Sequence, residues 1–135
     1  MQLKNLATGD TLVLPDDLLW LDEHSWSPTV AAVSYLITGA LLVQTATRQA
    51  GRPITLAGAL DMGWVSRATV TMLEAWAALP LTETQGRFEL LVPDGRLFTV
   101  AFRHADAALE AEPVTGFPAR HDTDFYRITL RLMEL

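Results

Sequence analysis

The stretch Arg87 to Phe102, RFELLVPDGRLFTVAF, decides the fold class. Phe88, Leu90 and Val92 alternate onto one face, and Arg87, Glu89 and Leu91 onto the other, which is the two-residue period of a half-buried strand. Pro93-Asp94-Gly95 then supplies a turn, because Pro presets φ and Gly accepts φ > 0. Phe98, Val100 and Phe102 resume the alternation. The stretch therefore predicts a β-hairpin inside a β-rich domain.

Towards the C-terminus, Phe125 to Leu132 (FYRITLRL) reads as a closing strand, with Tyr126, Ile128, Leu130 and Leu132 inward and Arg127, Thr129 and Arg131 outward. Between hairpin and closing strand lies a long arm, residues 103–124. Ala105 to Ala111 could form a helical turn there, and Pro113, Gly116 and Pro118 argue for an extended excursion. So long a connection in a small domain is usually functional or an interaction arm.

Towards the N-terminus the period changes. Ala68, Met72, Trp76 and Leu79 recur at helical spacing, Ser66 is an N-cap residue type, and Pro80 ends the run. This predicts one helix over about 66–79. It is too short to be stable alone and must dock its stripe on a sheet, with Trp76 and Met72 beside Phe88 and Phe98.

Before the helix, Gly58 and Gly63 bracket a connector. Arg48-Gln49-Ala50-Gly51-Arg52, followed by the alternating Pro53 to Ala57, reads as a further hairpin with Arg48 and Arg52 at its exposed tip. Thr29 to Ile37 and Leu41 to Thr47 read as a central pair of buried strands. No charge occurs between Ser25 and Thr47, and the run is long enough to be weighed as a membrane span. Its Val, Ile, Tyr and Thr content and the break at Thr38-Gly39 favour strands instead. Thr11 to Pro15 and Leu18 to Leu21 complete the short strands, and residues 1–27 form an acidic entry.

The whole reads as a single domain, 1–135: the entry, a β-body over 28–102, the arm, and a closing strand over 125–135. At 135 residues, half of them hydrophobic and 19% charged, the chain can bury one sizeable core. The formal charge of −6 argues against a protein that grips nucleic-acid phosphates. It suits a surface that lets DNA pass without sticking. No cysteine is present, which excludes disulfides and thiolate metal sites. The N-terminal residues carry no apolar core of a signal peptide.

The chemistry-bearing residue types do not combine into a catalytic pattern. Asp22, Glu23 and His24 are adjacent and point to alternate sides of an extended chain, so they read as a solvated acidic loop. Asp122 and Asp124 offer two oxygen ligands beside His121, with His104 a possible neighbour in space, fewer than a calcium loop needs. No nucleophile elbow and no phosphate-binding glycine motif occurs. Neither an enzyme nor a cofactor nor a metal is expected. Trp20, Trp26, Trp64 and Trp76 leave open a carbohydrate- or small-molecule-binding β-domain. A bacterial structural or adaptor subunit is a further alternative.

The order of elements carries a resemblance. The segment Thr38 to Leu60, TGALLVQTATRQAGRPITLAGAL, leads to Trp64 and the helix, then the PDGRLFTV hairpin and the Tyr-x-Ile-x-Leu-x-Leu strand. Over residues 28 to 135 this resembles the small distal tail and baseplate-hub proteins of long-tailed, siphovirus-like bacteriophages. The resemblance implies a tail-tube-like fold: a split β-barrel or sandwich of antiparallel strands flanked by one α-helix. It also implies a structural virion protein, assembled in the host cytoplasm. Its subunits form a homo-oligomeric ring, commonly a hexamer, that continues the tail tube and meets the tape-measure end, hub or fibre proteins. DNA passes through the lumen without specific binding, and no membrane is spanned. In such a ring, a basic tip (Arg48, Arg52) is expected to meet a neighbour's arm (Glu110, Glu112, Arg120, Asp122, Asp124). As exposed charges, Arg48 and Arg52 are expected to contribute little to folding.

Overall fold

The Arg87–Phe102 hairpin is present with the expected register. In a computed structural model that describes residues 1–135, Phe88 pairs with Val100, Leu90 with Phe98 and Leu91 with Leu97. Gly95 takes φ 92°, the left-handed conformation that the turn demands of it. Phe88, Leu90 and Val100 are completely buried.

In chain order the elements are β1 (Gln2–Asn5), β2 (Thr11–Val13), β3 (Leu19–Trp20), β4 (Thr29–Tyr35), β5 (Leu41–Thr47), β6 (Pro53–Ala57), β7 (Trp64–Ser66), α1 (Arg67–Ala77), β8 (Phe88–Leu91), β9 (Leu97–Phe102), β10 (Leu109–Pro113) and β11 (Phe125–Glu134). Strand occupies 41% of the chain and helix 8%, so the fold is mainly β with one helix. Every ladder is antiparallel. Nine strands form one sheet in the order β2-β1-β8-β9-β11-β6-β3, with β10 and β7 also on β11, and β4-β5 form a separate pair. No ladder joins β2 to β3, so the large sheet is open.

The closing strand β11 is the spine. One of its edges bonds β9 at Leu132–Glu134 and then β10 at Tyr126–Leu130. The other bonds β6 at Thr129–Met133 and then β7 at Phe125–Arg127. Tyr126, Ile128, Leu130 and Leu132 all point inward and are buried, as their alternation predicts. Between β6 and β7 the chain doubles back so tightly that a Cβ on Gly58 would meet the Gly63 carbonyl oxygen at 2.6 Å.

Ser66 caps α1, its hydroxyl accepting from the Thr69 N–H. The docked face is not the predicted stripe. Val70, Leu73 and Trp76 are buried, whereas Ala68 and Met72 are exposed, Met72 by 43%. Trp76 lies at the margin shared by both stripes, so it alone of the expected pair reaches the sheet. Its ring sits 5.3 Å from Phe88, which meets Phe102 edge-on at 5.1 Å. Phe98 pairs instead with Trp20, at 5.5 Å.

Three further expectations are corrected. Thr29–Ile37 and Leu41–Thr47 do pair, Val33 opposite Val43, but the pair is not a buried centre of the body. Only Val30 in it is even half-buried, because the inner face of the large sheet is already filled by its own strands and α1. The Arg48–Arg52 loop is not the tip of a hairpin with Pro53–Ala57, since β6 is flanked by β11 and β3 on its two edges. The arm is not irregular throughout: Leu109–Pro113 fills the β11 edge left free beyond the end of β9. The strands β1 and β7 had no counterpart in the sequence reading.

Trp76→Ala should lower unfolding stability by about 3–5 kcal/mol, as large core truncations do, and Met72→Ala by less than about 1 kcal/mol. Urea titrations of the two variants measure the contrast; equal losses would mean that Met72 shares the docked face.

Candidate functional site

The β4–β5 hairpin is the chain's most exposed apolar feature. Opposed residues of an antiparallel pair share a face. Ala31 with Thr45, Val33 with Val43 and Tyr35 with Leu41 therefore make one face almost wholly apolar. Val33 is 61% exposed, Tyr35 76%, and Ile37 in the turn is fully exposed. The turn closes with the Leu36 N–H donating to the Ala40 carbonyl at 2.9 Å. A lone two-stranded hairpin is marginally stable in water, and an uncharged apolar surface of this extent marks an interaction site.

The base of the hairpin is held firmly. Arg48 N–H donates to the Pro28 carbonyl at 2.7 Å, and Gly51 N–H to Glu134 at 3.0 Å. Beside this base the acidic entry is not a solvated loop but a packed network. Asp22 accepts from Trp20 Nε1 at 2.8 Å and from the Thr55 N–H and hydroxyl at 2.9 and 2.8 Å. Arg52 lays its guanidinium over the Trp20 ring at 4.7 Å, with Trp26 and Phe98 both at 5.7 Å, and donates to the Glu23 carbonyl at 2.9 Å. Arg96 lies over the same Trp20 ring at 5.2 Å and ion-pairs with Glu23 and Asp94. Arg52 is thus no exposed tip charge. Arg48 is the exposed one of the two.

Three of the four acids assigned to the arm, Glu110, Glu112 and Asp124, also have side-chain partners within the chain. Glu112 sits opposite Arg127 in the β10–β11 ladder and bonds it at 2.8 Å, and Glu110 reaches Arg131 at 3.2 Å. The carbonyls of Asp122 and Asp124 accept from the Ala68 and Arg67 N–H groups at the start of α1. The Asp124 carboxylate accepts from the His121 N–H at 2.9 Å. Of the charges expected to form a tip-to-arm contact, Arg52 and the Glu110, Glu112 and Asp124 carboxylates are bonded within the chain, whereas Arg48, Arg120 and the Asp122 carboxylate stand outside these bonds and ion pairs. No group of three His, Asp or Glu side chains is placed to hold a metal ion.

The far end of the molecule carries a groove of about 790 Å³ under residues 114–125, walled by Trp64, Val114, Phe117, Pro118 and Phe125, with Arg120 among its polar lining. Trp64 and Phe125 lie 6.0 Å apart, and Trp64 Nε1 donates to the Ala59 carbonyl at 3.1 Å. Arg67 holds the wall in place by donating to the Ala119 carbonyl at 2.8 Å and to the Tyr126 hydroxyl at 2.9 Å. The sequence reading named Trp64 among the tryptophans that leave a ligand-binding role open but did not find this groove. Its lining is Trp64 of β7, fifty positions away, together with residues within 114–125, the end of the arm and the start of β11.

Arg52→Ala should cost about 2 kcal/mol of stability, the range of a desolvated cation–π contact, and Arg48→Ala within ~0.5 kcal/mol; paired urea titrations check this. The Arg96 backbone N–H, and with it the Arg96 guanidinium, holds the Asp94 carboxyl below its ordinary value. Its stabilising contribution is present above the unfolded value and disappears as pH falls through the lowered folded one. Asp94→Ala should therefore flatten the acid limb of melting temperature against pH. Neither a family model, nor a curated protein, nor a solved structure matches the chain.

Proposed function

We propose that the chain is a self-assembling structural subunit of the tail tip of a long-tailed bacteriophage. In this reading copies join through the β4–β5 hairpin into a ring, commonly of six, that continues the tail tube. The ring connects the tube to baseplate, hub or fibre proteins, and the subunit performs no chemistry. The observation that carries the reading is the charge-free hairpin standing outside the core with its apolar face uncovered. The phage setting rests on the resemblance of residues 28 to 135. The chain has no helix long and apolar enough to cross a membrane.

The aromatic groove favours a second reading, a carbohydrate-binding β-domain, because exposed Trp64, Phe117 and Phe125 offer stacking faces. An oligosaccharide-dependent change in Trp64 fluorescence, in a chain that stays monomeric, supports it over the first.

Light scattering of the wild-type chain should show a closed oligomer whose population rises with concentration. Tyr35→Asp with Ile37→Asp should give a monomer with unchanged melting temperature, because neither side chain touches the core. A wild-type chain that stays monomeric at high concentration, alone and with tail proteins, overturns the proposal.

A further inference from the structure

We infer that the groove walled by Trp64, Val114, Phe117, Pro118 and Phe125 is the receptor for the β4–β5 hairpin of a second copy of this chain, so that copies join head to tail. This rests on the reading of the chain as a self-assembling subunit and names the surface that reading leaves unassigned.

The hairpin and the groove sit at opposite ends of β11. The hairpin springs from the C-terminal end of β11, where Gly51 N–H donates to Glu134 and Glu134 N–H donates to Arg52. The groove lies at its N-terminal end, where Phe125 opens the strand and Trp64 pairs with Arg127. Ten extended residues separate the two features by roughly 30 Å. The two surfaces differ in kind, one projecting and one concave, so each needs the other's type rather than its own. Their contact is heterologous, the type that generates a ring when the rotation closes and a filament when it does not.

The hairpin offers apolar area without charge. On the face of Val33, Tyr35, Leu41 and Val43, with Ile37 of the turn, the exposed apolar side chains present roughly 600 Å², somewhat below the ~800 Å² per partner of a standard interface. The hairpin brings no charged group between Ser25 and Thr47, so the charges at the contact are the groove's own, Arg120 and Asp124. Its one phenol, Tyr35, meets a lining in which Arg120 and Thr123 offer polar partners. A hydrocarbon surface fits less well, because a two-stranded hairpin has two unpaired edges.

The chain has no cysteine, which gives a clean background for site-directed crosslinking. One tagged copy carries Ile37→Cys and a differently tagged copy carries Phe117→Cys; both positions are exposed in the isolated chain. Under mild oxidation the mixed pair should give at least tenfold more hybrid disulfide dimer than Ile37→Cys mixed with Thr84→Cys, a control on an exposed loop. Phe117→Asp should raise the concentration needed for assembly at least tenfold with the melting temperature unchanged. Assembly without preferential crosslinking, or with Phe117→Asp assembling like the parent, overturns the groove as receptor and leaves the assembly proposal standing. A chain that does not assemble at all overturns both.

Discussion

Everything in this fold depends on the backbone of β11 being hydrogen-bonded along both edges over its full length. A strand ten residues long is matched on each side by two short strands in tandem rather than by one long one. That arrangement forces the chain to break and re-enter the sheet twice, once between β6 and β7 and once between β9 and β10. The close Gly58–Gly63 approach is the steric signature of the first break. At the second, Arg103 N–H donates to the Arg131 carbonyl and Arg131 N–H to the Ala108 carbonyl, so the ladder continues across the interruption. A polar group left unpaired there would be costly, and these bonds satisfy it.

The same strand explains where the exposed features sit. Its C-terminal end is fastened to the Gly51–Arg52 segment, from which the apolar hairpin rises. Around that junction Trp20, Arg52, Arg96, Asp22 and Glu23 form a network in which the cations are stacked on aromatic rings and the acids are bonded. The entry segment, acidic in sequence, thus fastens the hairpin's root. Asp22 and Glu23, two of its five acids, contribute to that anchoring. At the opposite end, Arg67 and Tyr126 hold the Ala119 carbonyl and keep the groove wall against α1.

The elements legible in the sequence were those whose pattern is local. The Arg87–Phe102 hairpin, the Ser66 cap and the inward set of β11 follow from alternation and turn chemistry within a few residues. What escaped was set by distant partners. The four-residue β1 has weak alternation and is a strand because β8, over eighty positions later, offers it an edge. Met72 and Leu73 are both apolar, and only the position of the sheet decides which is covered. The Thr29–Thr47 pair was recognised as strands, but its apolar faces were read as buried, since composition alone does not distinguish a core from an uncovered surface. Arg52 looked like a free charge because its ring partners, Trp20, Trp26 and Phe98, lie at separations that spacing rules do not reach.

The placement of β11 at the end of this order has a consequence for how the chain comes to be folded. Every strand that β11 joins precedes it in the sequence, so during synthesis β6, β7, β9 and β10 emerge from the ribosome before their shared partner exists. The large sheet is a structure of distant pairings, and its closure waits for the last of them. The β4–β5 pairing is local, by contrast, and requires nothing further down the chain. The most exposed apolar surface of the protein therefore takes shape while its body is still open. Slow closure of the sheet by the final strand would prolong the exposure of unpaired strand edges, the condition in which nascent chains aggregate.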